Sequence, residues 1–538
     1  MINNIESKYF FYIDSDNFND ITDSCYGFNI SYTENKITLS DNINSNIIGG
    51  SYIIVQRNND VINIITDDIS SLYIFYYISD DFYAVSNSFY RMAEILKSKN
   101  KVMTLNKLFI HQYIDSPLHT HSLYNTLINE IKILPIFTDI VLSKNQISFI
   151  KKDIDIHCID IDSEQGQDII NKWINKWSDI IYSLHKSDIP IRIDLSGGFD
   201  SRIIFALAKY GGVDFNKDTV NIYSKIATNI GLKNHLEDDY EIATLISERL
   251  NFQLNKNPKI FNTEYIKYSS NNQYFILKNL FMGFHKEGYL CTCRYNTPHI
   301  HIGGINGEVI RGALPDMQSF NNRFYANPFN MYIDDVKTEF YKDIELIEGD
   351  QNITKLVKFF LNTQCRSHFG MSIYNDYINN TYFISPFNDK ELYKLNFKNR
   401  YRHNLIFAII LYKTCPEIFD ICFNKGISFS DDVKQLTISL SNKYPLIKNT
   451  HNYNIEIINN DIINNIPDNN NGEYILYQIF KENKNLFIEK FGELFNKEYA
   501  ENIYKYADDF YINKDNFYPN KWVVCITSII EVLKILYE

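Results

Sequence analysis

The chain has 538 residues, 45% of them apolar, and a formal net charge of -12. It is too long for one hydrophobic core and too apolar for a disordered chain. Nucleic-acid-binding proteins present a basic face, so an acidic chain without a run of Lys and Arg argues against such a partner. An acidic chain can still bind a phosphate-bearing ligand, because local donors and a divalent cation can meet the phosphates.

The cysteines and the N-terminus bear on the compartment. Eight cysteines in a chain of this length are typical of buried thiols and not of a disulfide framework. The start, MINNIESKYFFYIDSDNF, lacks the basic region and apolar core of a secretory signal. No window approaches about 18 consecutive apolar residues, the length of a membrane-spanning helix. The sequence therefore predicts a cytoplasmic enzyme with no membrane partner.

Residues 1–150 predict a β-rich layer with two helices. Short segments rich in Ile, Val, Tyr and Phe alternate with Asn and Asp turns, which is typical of strands. The predicted strands are 50–56, 61–66, 73–78, 82–85, 138–142 and 146–150, and the predicted helices are 89–98 and 105–114. The polar, acidic stretch 151–166 predicts a linker.

From residue 168 the apolar period changes to about 3.6, with Trp173 and Trp177 on one core-facing stripe of a helix that ends before Pro190. Predicted strands follow at 191–195, 220–224 and 300–303, and predicted helices at 202–210 and 239–250. This alternation predicts a parallel sheet with helices on both faces. After about residue 328 we expect mostly helix, interrupted by an Asn-rich surface loop at 459–472.

The most informative stretch lies between a predicted strand and a predicted helix and reads Asp194-Leu195-Ser196-Gly197-Gly198-Phe199-Asp200-Ser201-Arg202. Such a junction points backbone N–H groups and the positive helix end at a bound anion. Gly197 and Gly198 let the backbone approach it, and Ser196 and Ser201 add hydroxyl donors. Asp200 would repel a phosphate unless a cation lay between them, so it is a predicted Mg²⁺ ligand. A Walker loop would need a Lys here, so the stretch is not that of a P-loop NTPase. The alternative interpretation is an ordinary glycine-containing turn.

This stretch resembles the pyrophosphatase loop of the N-type ATP pyrophosphatases, which cleave ATP between its α and β phosphates and adenylate an oxygen. Two more stretches resemble the asparagine synthetase and β-lactam synthetase branch of that superfamily. Where this branch has SGDGADELFG, the chain reads Gly303-Gly304-Ile305-Asn306-Gly307-Glu308-Val309-Ile310-Arg311-Gly312. Where it has vPFLDxxL, a structural signature, the chain reads Ser385-Pro386-Phe387-Asn388-Asp389-Lys390-Glu391-Leu392.

The N-terminal region resembles the same branch, since Asp67 falls in a stretch similar to its RDPxGxxPLYY. The resemblance implies an Ntn-hydrolase-like α/β sandwich at 1–150. It also implies an α/β synthetase domain at 165–538, with a doubly wound parallel sheet and a helical extension. Glutamine-hydrolysing members carry Cys directly after the initiator Met, but here that position is Ile2 and the first cysteine is Cys25. We therefore expect a degenerate domain that does not hydrolyse glutamine.

The resemblance also implies an ATP·Mg²⁺ site. Asp200 and Glu308, which replaces the family's Asp, would hold Mg²⁺. Lys425 is the candidate for the catalytic Lys of the family's RxKxGF-like segment, and the alternative is a solvated surface Lys. The nucleotide would be bound by Leu195, Ser196, Gly197, Gly198, Asp200, Ser201, Ser224, Gly303 and Gly304.

Several other residues are weaker candidates. Lys225 is a second candidate for the catalytic Lys, and Asp239 and Glu241 open a predicted helix, where acids also stabilise the helix start. Ile305 stands where β-lactam synthetase has a Tyr, which excludes that enzyme's base relay. Zinc-binding cysteines usually have two to four residues between them. One intervening residue therefore favours strand alternation over zinc at Cys291 and Cys293 and at His299 and His301.

The function implied by the resemblance is an ATP-dependent ligase that adenylates a carboxylate, releases pyrophosphate and joins the acyl group to an amine. Family members without the N-terminal Cys act in natural-product, peptide or surface-polysaccharide pathways. The expected partners are a small-molecule, peptide or glycan carboxylate and an amine, and a homodimer stays open. The alternatives are asparagine synthesis from aspartate and ammonia, and a non-catalytic binding or scaffold protein. A sulfur-inserting tRNA enzyme would need a basic RNA face and catalytic cysteines, which the sequence lacks.

Overall fold

The computed structural model describes residues 9–33, 35–115, 124–152, 155–156, 158–224, 233–255, 265–267, 278–279, 293–295, 298–310, 333–346, 357–359, 361–362, 366, 371–396, 404–448, 453–458, 472–512 and 521–538. In these residues the protein is mixed α/β with several sheets, one of them a four-stranded parallel sheet. The predicted mixed α/β class is confirmed. None of the described helices is long and apolar enough to cross a membrane.

The described strands and helices follow in chain order. The strands are β1 (Tyr12–Asp14), β2 (Ser24–Thr33), β3 (Lys36–Ser40), β4 (Ile47–Asn58), β5 (Val61–Thr66), β6 (Phe75–Ser79), β7 (Phe82–Ser86), β8 (Ile131–Ile133), β9 (Thr138–Ser143), β10 (Gln146–Lys151), β11 (Ile159–Asp160), β12 (Ile191–Asp194), β13 (Val220–Tyr223), β14 (Tyr265–Lys267), β15 (Cys293–Tyr295), β16 (His299–Ile302), β17 (Thr381–Ile384), β18 (Leu395–Asn396) and β19 (Asn454–Ile458). The α-helices are α1 (Phe89–Ser98), α2 (Lys107–Asp115), α3 (Glu164–Lys186), α4 (Phe199–Gly211), α5 (Lys233–Leu250), α6 (Gly307–Ile310), α7 (Ile333–Leu346), α8 (Met371–Ile378), α9 (Lys390–Tyr393), α10 (Leu405–Thr414), α11 (Asp431–Lys443), α12 (Gly472–Glu482), α13 (Lys484–Leu494), α14 (Lys497–Ile512) and α15 (Lys521–Tyr537).

The N-terminal strands form two largely antiparallel sheets. One has the order β1-β7-β6-β8, and the other has the order β10-β9-β5-β4-β2-β3-β19. Burial alternates along β5 and β9, as expected for strands with one face on the core. β19 pairs in parallel with β3, so a strand from residues 454–458 completes a sheet built from the start of the chain. The predicted division into residues 1–150 and 165–538 stays a prediction.

The parallel sheet has the order β13-β12-β16-β17. Ile191 of β12 lies opposite Val220 and Ile300 of the neighbouring strands, so all four strands run in register. α4 follows β12 and ends at Gly212, whose φ of 100° terminates the helix in the left-handed region. The carboxyl ends of the strands lie at one edge of the sheet, where ligands of open α/β folds bind.

Helix α3 packs against the segment that follows β17. Trp173 and Trp177 are buried, as the helical stripe predicted. The indole N–H of Trp173 donates to the carbonyl of Pro386 at 2.9 Å, and that of Trp177 donates to Asp389 Oδ2 at 3.1 Å. Lys176 Nζ lies 2.9 Å from the same carboxylate oxygen, and Asp389 Oδ1 accepts the N–H of Glu391 as the N-cap of α9. Asp389 therefore ties α9 to α3.

Replacing Asp389 with Ala should lower the free energy of unfolding by about 2–4 kcal/mol, because it removes a helix cap, the ion pair with Lys176 and the hydrogen-bond acceptor of the buried Trp177 indole. Urea unfolding measures the change. The matched control is Asp168→Ala in α3, which breaks an exposed ion pair with Lys172 and should cost under about 0.5 kcal/mol. Equal losses in the two variants would contradict this role for Asp389.

Candidate active site

The turn after β12 carries the stretch with the most informative sequence. Leu195 is buried and its N–H donates to the carbonyl of Tyr223 at 2.8 Å, which extends the sheet ladder by one residue. Gly198 is the N-cap residue of α4 and provides no side-chain cap. The N-terminus of a 13-residue helix thus lies at the carboxyl end of the parallel sheet, an arrangement that favours binding of an anion.

The two serines of the turn bond to each other. Ser196 Oγ and Ser201 Oγ lie 2.9 Å apart, and the N–H of Ser196 donates to Ser201 Oγ at 3.1 Å. Ser196 Oγ also accepts the N–H of Gly198 at 3.1 Å. These bonds fix the shape of the turn. They also occupy the N–H groups of Ser196 and Gly198, which were predicted to bind phosphate.

The carboxylate of Asp239, one of the weaker candidates from the sequence, contacts the same turn. The N–H of Gly197 donates to Asp239 Oδ1 at 2.9 Å, and the side-chain amide of Asn424 donates to the same oxygen. The prediction that Asp239 opens this helix is wrong, because α5 begins at Lys233. Glu241 is exposed. Asp239 therefore joins the turn to the segment around Asn424.

The segment of Lys425 rests against the turn. The N–H of Asn424 donates to the carbonyl of Gly197 at 3.1 Å. Lys425 follows in a short 3₁₀ helix, with a φ of 60°, and its side chain is exposed. The structure thus brings the segment to the turn, while the catalytic role of Lys425 stays a prediction. Lys225, the second candidate, lies outside the described residues.

Arg202 joins the turn to the segment before Lys425, and the sequence did not indicate it as a site residue. Its side chain is fully buried, Nη1 donates to the carbonyl of Ile421 at 2.8 Å, and Nη2 donates to the carbonyl of Cys422. The guanidinium carbon lies 4.0 Å from the ring centroid of Phe423. Burial lowers the pKa of Arg202 to about 9, while the nearby Asp239 favours the charged form. The position of Arg202 just after the turn was the only signal in the sequence.

Asp200 lies against the second glycine stretch. A methyl group on Gly304 would approach Asp200 Cβ to 2.8 Å, and one on Gly307 would approach Asp200 Oδ1 to 2.2 Å. Glu308 is the next residue in α6 and is half-buried. The two predicted Mg²⁺ ligands therefore belong to helix starts that touch. Within the described ranges, no group of three or more His, Cys, Asp or Glu side chains is placed to hold a metal ion.

Two carboxylates still fit Mg²⁺, which in phosphate sites takes one or two carboxylates and completes its shell with phosphate oxygens and water. A further sign of a ligand is Ser224, whose buried hydroxyl has no hydrogen-bond partner in the part of the chain that the structure describes. It lies directly after β13, next to β12. Gly303 packs on the ring of Phe383, because a methyl group there would lie 2.6 Å from that ring.

His299 and His301 do not form a zinc site among the described residues. Both lie on the same face of β16, as strand alternation predicted, and each has its own partner. His299 Nε2 lies 2.9 Å from Thr381 Oγ1, and His301 Nε2 lies 3.0 Å from Asp194 Oδ2. Cys291 lies outside the described residues. The Asp194 contact was not predicted, because β12 was read as an apolar strand.

In the N-terminal region, Asp67 has a structural place. Its carboxylate is buried and accepts the hydroxyl of Ser71 at 2.6 Å and the N–H of Ile69 at 3.1 Å. Burial raises the pKa of Asp67, although these bonds oppose the shift. Ile2 lies outside the described residues. The thiol of Cys25 is in contact with the Asn29 amide at 3.7 Å.

No protein-family model matches the sequence, and no curated protein matches it.

Replacing Gly197 with Ala should destabilise the protein by about 1–3 kcal/mol, because the new methyl group would lie 1.6 Å from Asn424 Oδ1 and force the two segments apart. Gly198→Ala is the matched control, since its methyl group would meet only Ser196 Oγ at 3.2 Å. Urea unfolding of both variants measures the difference. A Gly197→Ala protein as stable as the Gly198→Ala protein would show that Asn424 does not rest on the turn.

Proposed function

We propose that this protein is an ATP-dependent C–N ligase that adenylates a carboxylate and transfers the acyl group to an amine, with AMP and pyrophosphate as products. The observation that supports it most is the meeting of three stretches at the carboxyl end of β12. These are the turn at 196–201, the stretch from Gly304 to Glu308 and the segment of Lys425. Together they offer the N–H groups at the start of α4, two carboxylates for a cation and a side-chain cation, which adenylation requires.

In the proposed reaction a carboxylate oxygen attacks the α-phosphorus of ATP, the bond to the β-phosphate breaks, and pyrophosphate leaves. The amine nitrogen then attacks the acyl carbon, the bond to AMP breaks, and the nitrogen loses a proton to a base. The N–H groups at the start of α4 and the ammonium of Lys425 stabilise negative charge on the phosphates. Asp200 and Glu308 would hold Mg²⁺, which would supply further charge neutralisation.

The proposal extends to the finer architecture: an Ntn-hydrolase-like sandwich at 1–150 and a synthetase domain at 165–538. Two largely antiparallel sheets, built mainly from strands of the first part, and a parallel sheet with the strand–turn–helix stretch in the second support it. The substrates are a small-molecule, peptide or glycan carboxylate and an amine. Asparagine synthesis from aspartate and ammonia is one such pair, and an assay with these two compounds tests it.

One observation favours a second candidate, a binding or scaffold protein that keeps the fold. The N–H groups of Ser196, Gly197 and Gly198 are all met by protein oxygens, and one of these oxygens is the carboxylate of Asp239. A ligase would have to exchange these bonds for bonds to phosphate. Binding of ATP separates the two candidates, because the scaffold protein has no need of the nucleotide.

Replacing Asp200 with Asn should weaken binding of ATP·Mg²⁺ at least about tenfold, or about 1.4 kcal/mol, because the variant loses the charge that faces the cation. Isothermal titration calorimetry with ATP and MgCl₂ measures it, and the rate of pyrophosphate release should fall with it. The matched control is Asp188→Asn, a carboxylate after α3 that is paired with Lys217 at the surface. Asp188 has a φ of 59°, which Asn tolerates.

Equal ATP affinity of the wild type, Asp200→Asn and Asp188→Asn would overturn the metal role of Asp200. Absence of ATP binding by the wild type would leave the scaffold protein as the function.

The N-terminal region should release no glutamate from glutamine. Burial raises the pKa of the Cys25 thiol to about 12, so the thiol is neutral near pH 7 and a poor nucleophile. A glutamate-release assay tests the activity. Iodoacetamide labelling read by mass spectrometry tests its cause, because the exposed Cys158 should react well before Cys25. Glutamate release that Cys25→Ser abolishes would contradict the expectation.

A further inference from the structure

One face of the parallel sheet is polar where sheet packing favours apolar side chains. Strands covered on both faces read as apolar runs, and Ile191, Ile193, Ile300 and Ile302 form such a face. The opposite face of the same two strands carries Arg192, Asp194, His299 and His301. The side chains of Arg192 and Asp194 are 28% and 41% exposed, so this face is partly open to solvent at the edge of the sheet where ligands of such folds bind.

The centre of this face is a dyad of Asp194 and His301. His301 Nε2 lies 3.0 Å from Asp194 Oδ2. Arg192 donates to the same carboxylate, from Nε to Oδ1 at 2.7 Å and from Nη2 to Oδ2 at 3.3 Å. Burial alone would raise the pKa of Asp194, but His301 and Arg192 hold it well below its usual range. The carboxylate is therefore ionised near pH 7 and can only accept hydrogen bonds.

An ionised acceptor on Nε2 fixes the tautomer of His301. Nε2 carries the proton, so in the neutral imidazole the lone pair of Nδ1 is the one that can take another. The imidazole lies edge-to-face against Phe383, with ring centroids 4.8 Å apart, which holds its orientation. The side chain of His301 is 17% exposed, enough for one side of the ring to meet a small group. An oriented imidazole of this kind is a general base.

The dyad lies on the two adjacent strands that lead into the two glycine stretches of the candidate site. Asp194 is two residues before Ser196, and His301 is two residues before Gly303. Arg192 lies opposite His301 in the sheet register. Ile305 stands in the second glycine stretch where β-lactam synthetase has the Tyr of its base relay. Its side chain cannot accept a proton, so a base must come from another residue.

The charged and titratable groups around His301 come from four elements of the described structure. They are Arg192 and Asp194 of β12, His299 of β16, Tyr223 of β13 and Asp376 of α8. Burial lowers the pKa of His299 to about 4, so His299 is neutral near pH 7. Its Nε2 is engaged by Thr381 on the neighbouring strand. His299 therefore offers a matched control on the same face.

We propose that His301, oriented by Asp194, is the general base that removes the proton from the attacking amine. The inference rests on the proposed ligase function and concerns its second step. The amine nitrogen forms the C–N bond, the C–O bond to AMP breaks with both electrons going to the phosphate oxygen, and the nitrogen's proton passes to Nδ1 and then to water. Asp194 and Arg192 are positioning residues. The first step, adenylation, does not need His301.

The test measures the two steps separately in the full chain. Carboxylate-dependent exchange of labelled pyrophosphate into ATP reports adenylation, with aspartate, glutamate, γ-aminobutyrate, citrate and glucuronate as probes. Amide formation is then measured with the probe that supports exchange, and with ammonia, lysine and glucosamine as amines. His301→Ala should retain exchange within about threefold and lose amide formation by about 100-fold or more, the usual range for a lost general base. Added imidazole should restore part of the amide formation.

Three further variants complete the design. His301→Gln keeps a donor toward Asp194 but cannot take a proton, so it should behave like His301→Ala even if the alanine variant folds poorly. Asp194→Asn should lower the ratio of amide formation to exchange without abolishing exchange. His299→Gln should leave both steps within about twofold, since general acid–base losses exceed that by far.

Loss of exchange together with amide formation in a folded His301→Gln protein would overturn the inference, and so would undiminished amide formation. Absence of exchange by the wild type with every probe would count against the ligase function itself, and the inference would fall with it.

Discussion

The closure of the turn at 196–201 by Asp239 and Arg202 is the constraint on which the rest of the site depends. Asp239 accepts from the backbone of Gly197 and from the amide of Asn424, so one carboxylate joins two segments far apart in sequence. The buried guanidinium of Arg202 fixes the carbonyls at 421 and 422 beside the same turn. A buried charge is tolerated only when it is paired and hydrogen-bonded, which leaves these segments few other arrangements.

A second line of support runs from α3 to Asp200. Asp389 binds Trp177 and Lys176 of α3, and the residues just before it hold the second glycine stretch. Ser385 Oγ donates to the carbonyl of Ile305 at 2.7 Å, and the amide of Asn306 donates to Asn388 Oδ1 at 2.6 Å. That stretch then packs its glycines on Asp200. The stretch predicted to be structural, 385–392, therefore positions a stretch predicted to bind nucleotide.

Local patterns were enough for much of the fold. The bounds of β5 and α1 are confirmed, because alternation and an N-cap serine at position 88 mark them. Helix α4 begins three residues before its predicted start, since the glycine at 198 serves as N-cap. β19 was missed because its pairing with β3 is made across more than 400 residues, and no local pattern records a partner so distant. The Asn-rich stretch predicted as a loop lies outside the described residues as far as position 471.

The candidate site was predictable only in part. Glycine spacing and the strand–helix junction indicated the turn, because both are local. The roles of Arg202 and Asn424 could not be predicted, since they depend on a tertiary contact between residues 197 and 424. The polar face was missed for a related reason. Two isoleucines dominate the short strand at 191–194, and the partner of Asp194 is a histidine more than 100 residues away.

A crystal structure with α,β-methylene-ATP and Mg²⁺ tests the central claim most directly. We predict density for the triphosphate over the start of α4, a metal ion between the carboxylates of Asp200 and Glu308, and the exposed ammonium of Lys425 turned toward the phosphates. A nucleotide bound elsewhere, with the turn still closed on Asp239, would contradict the account.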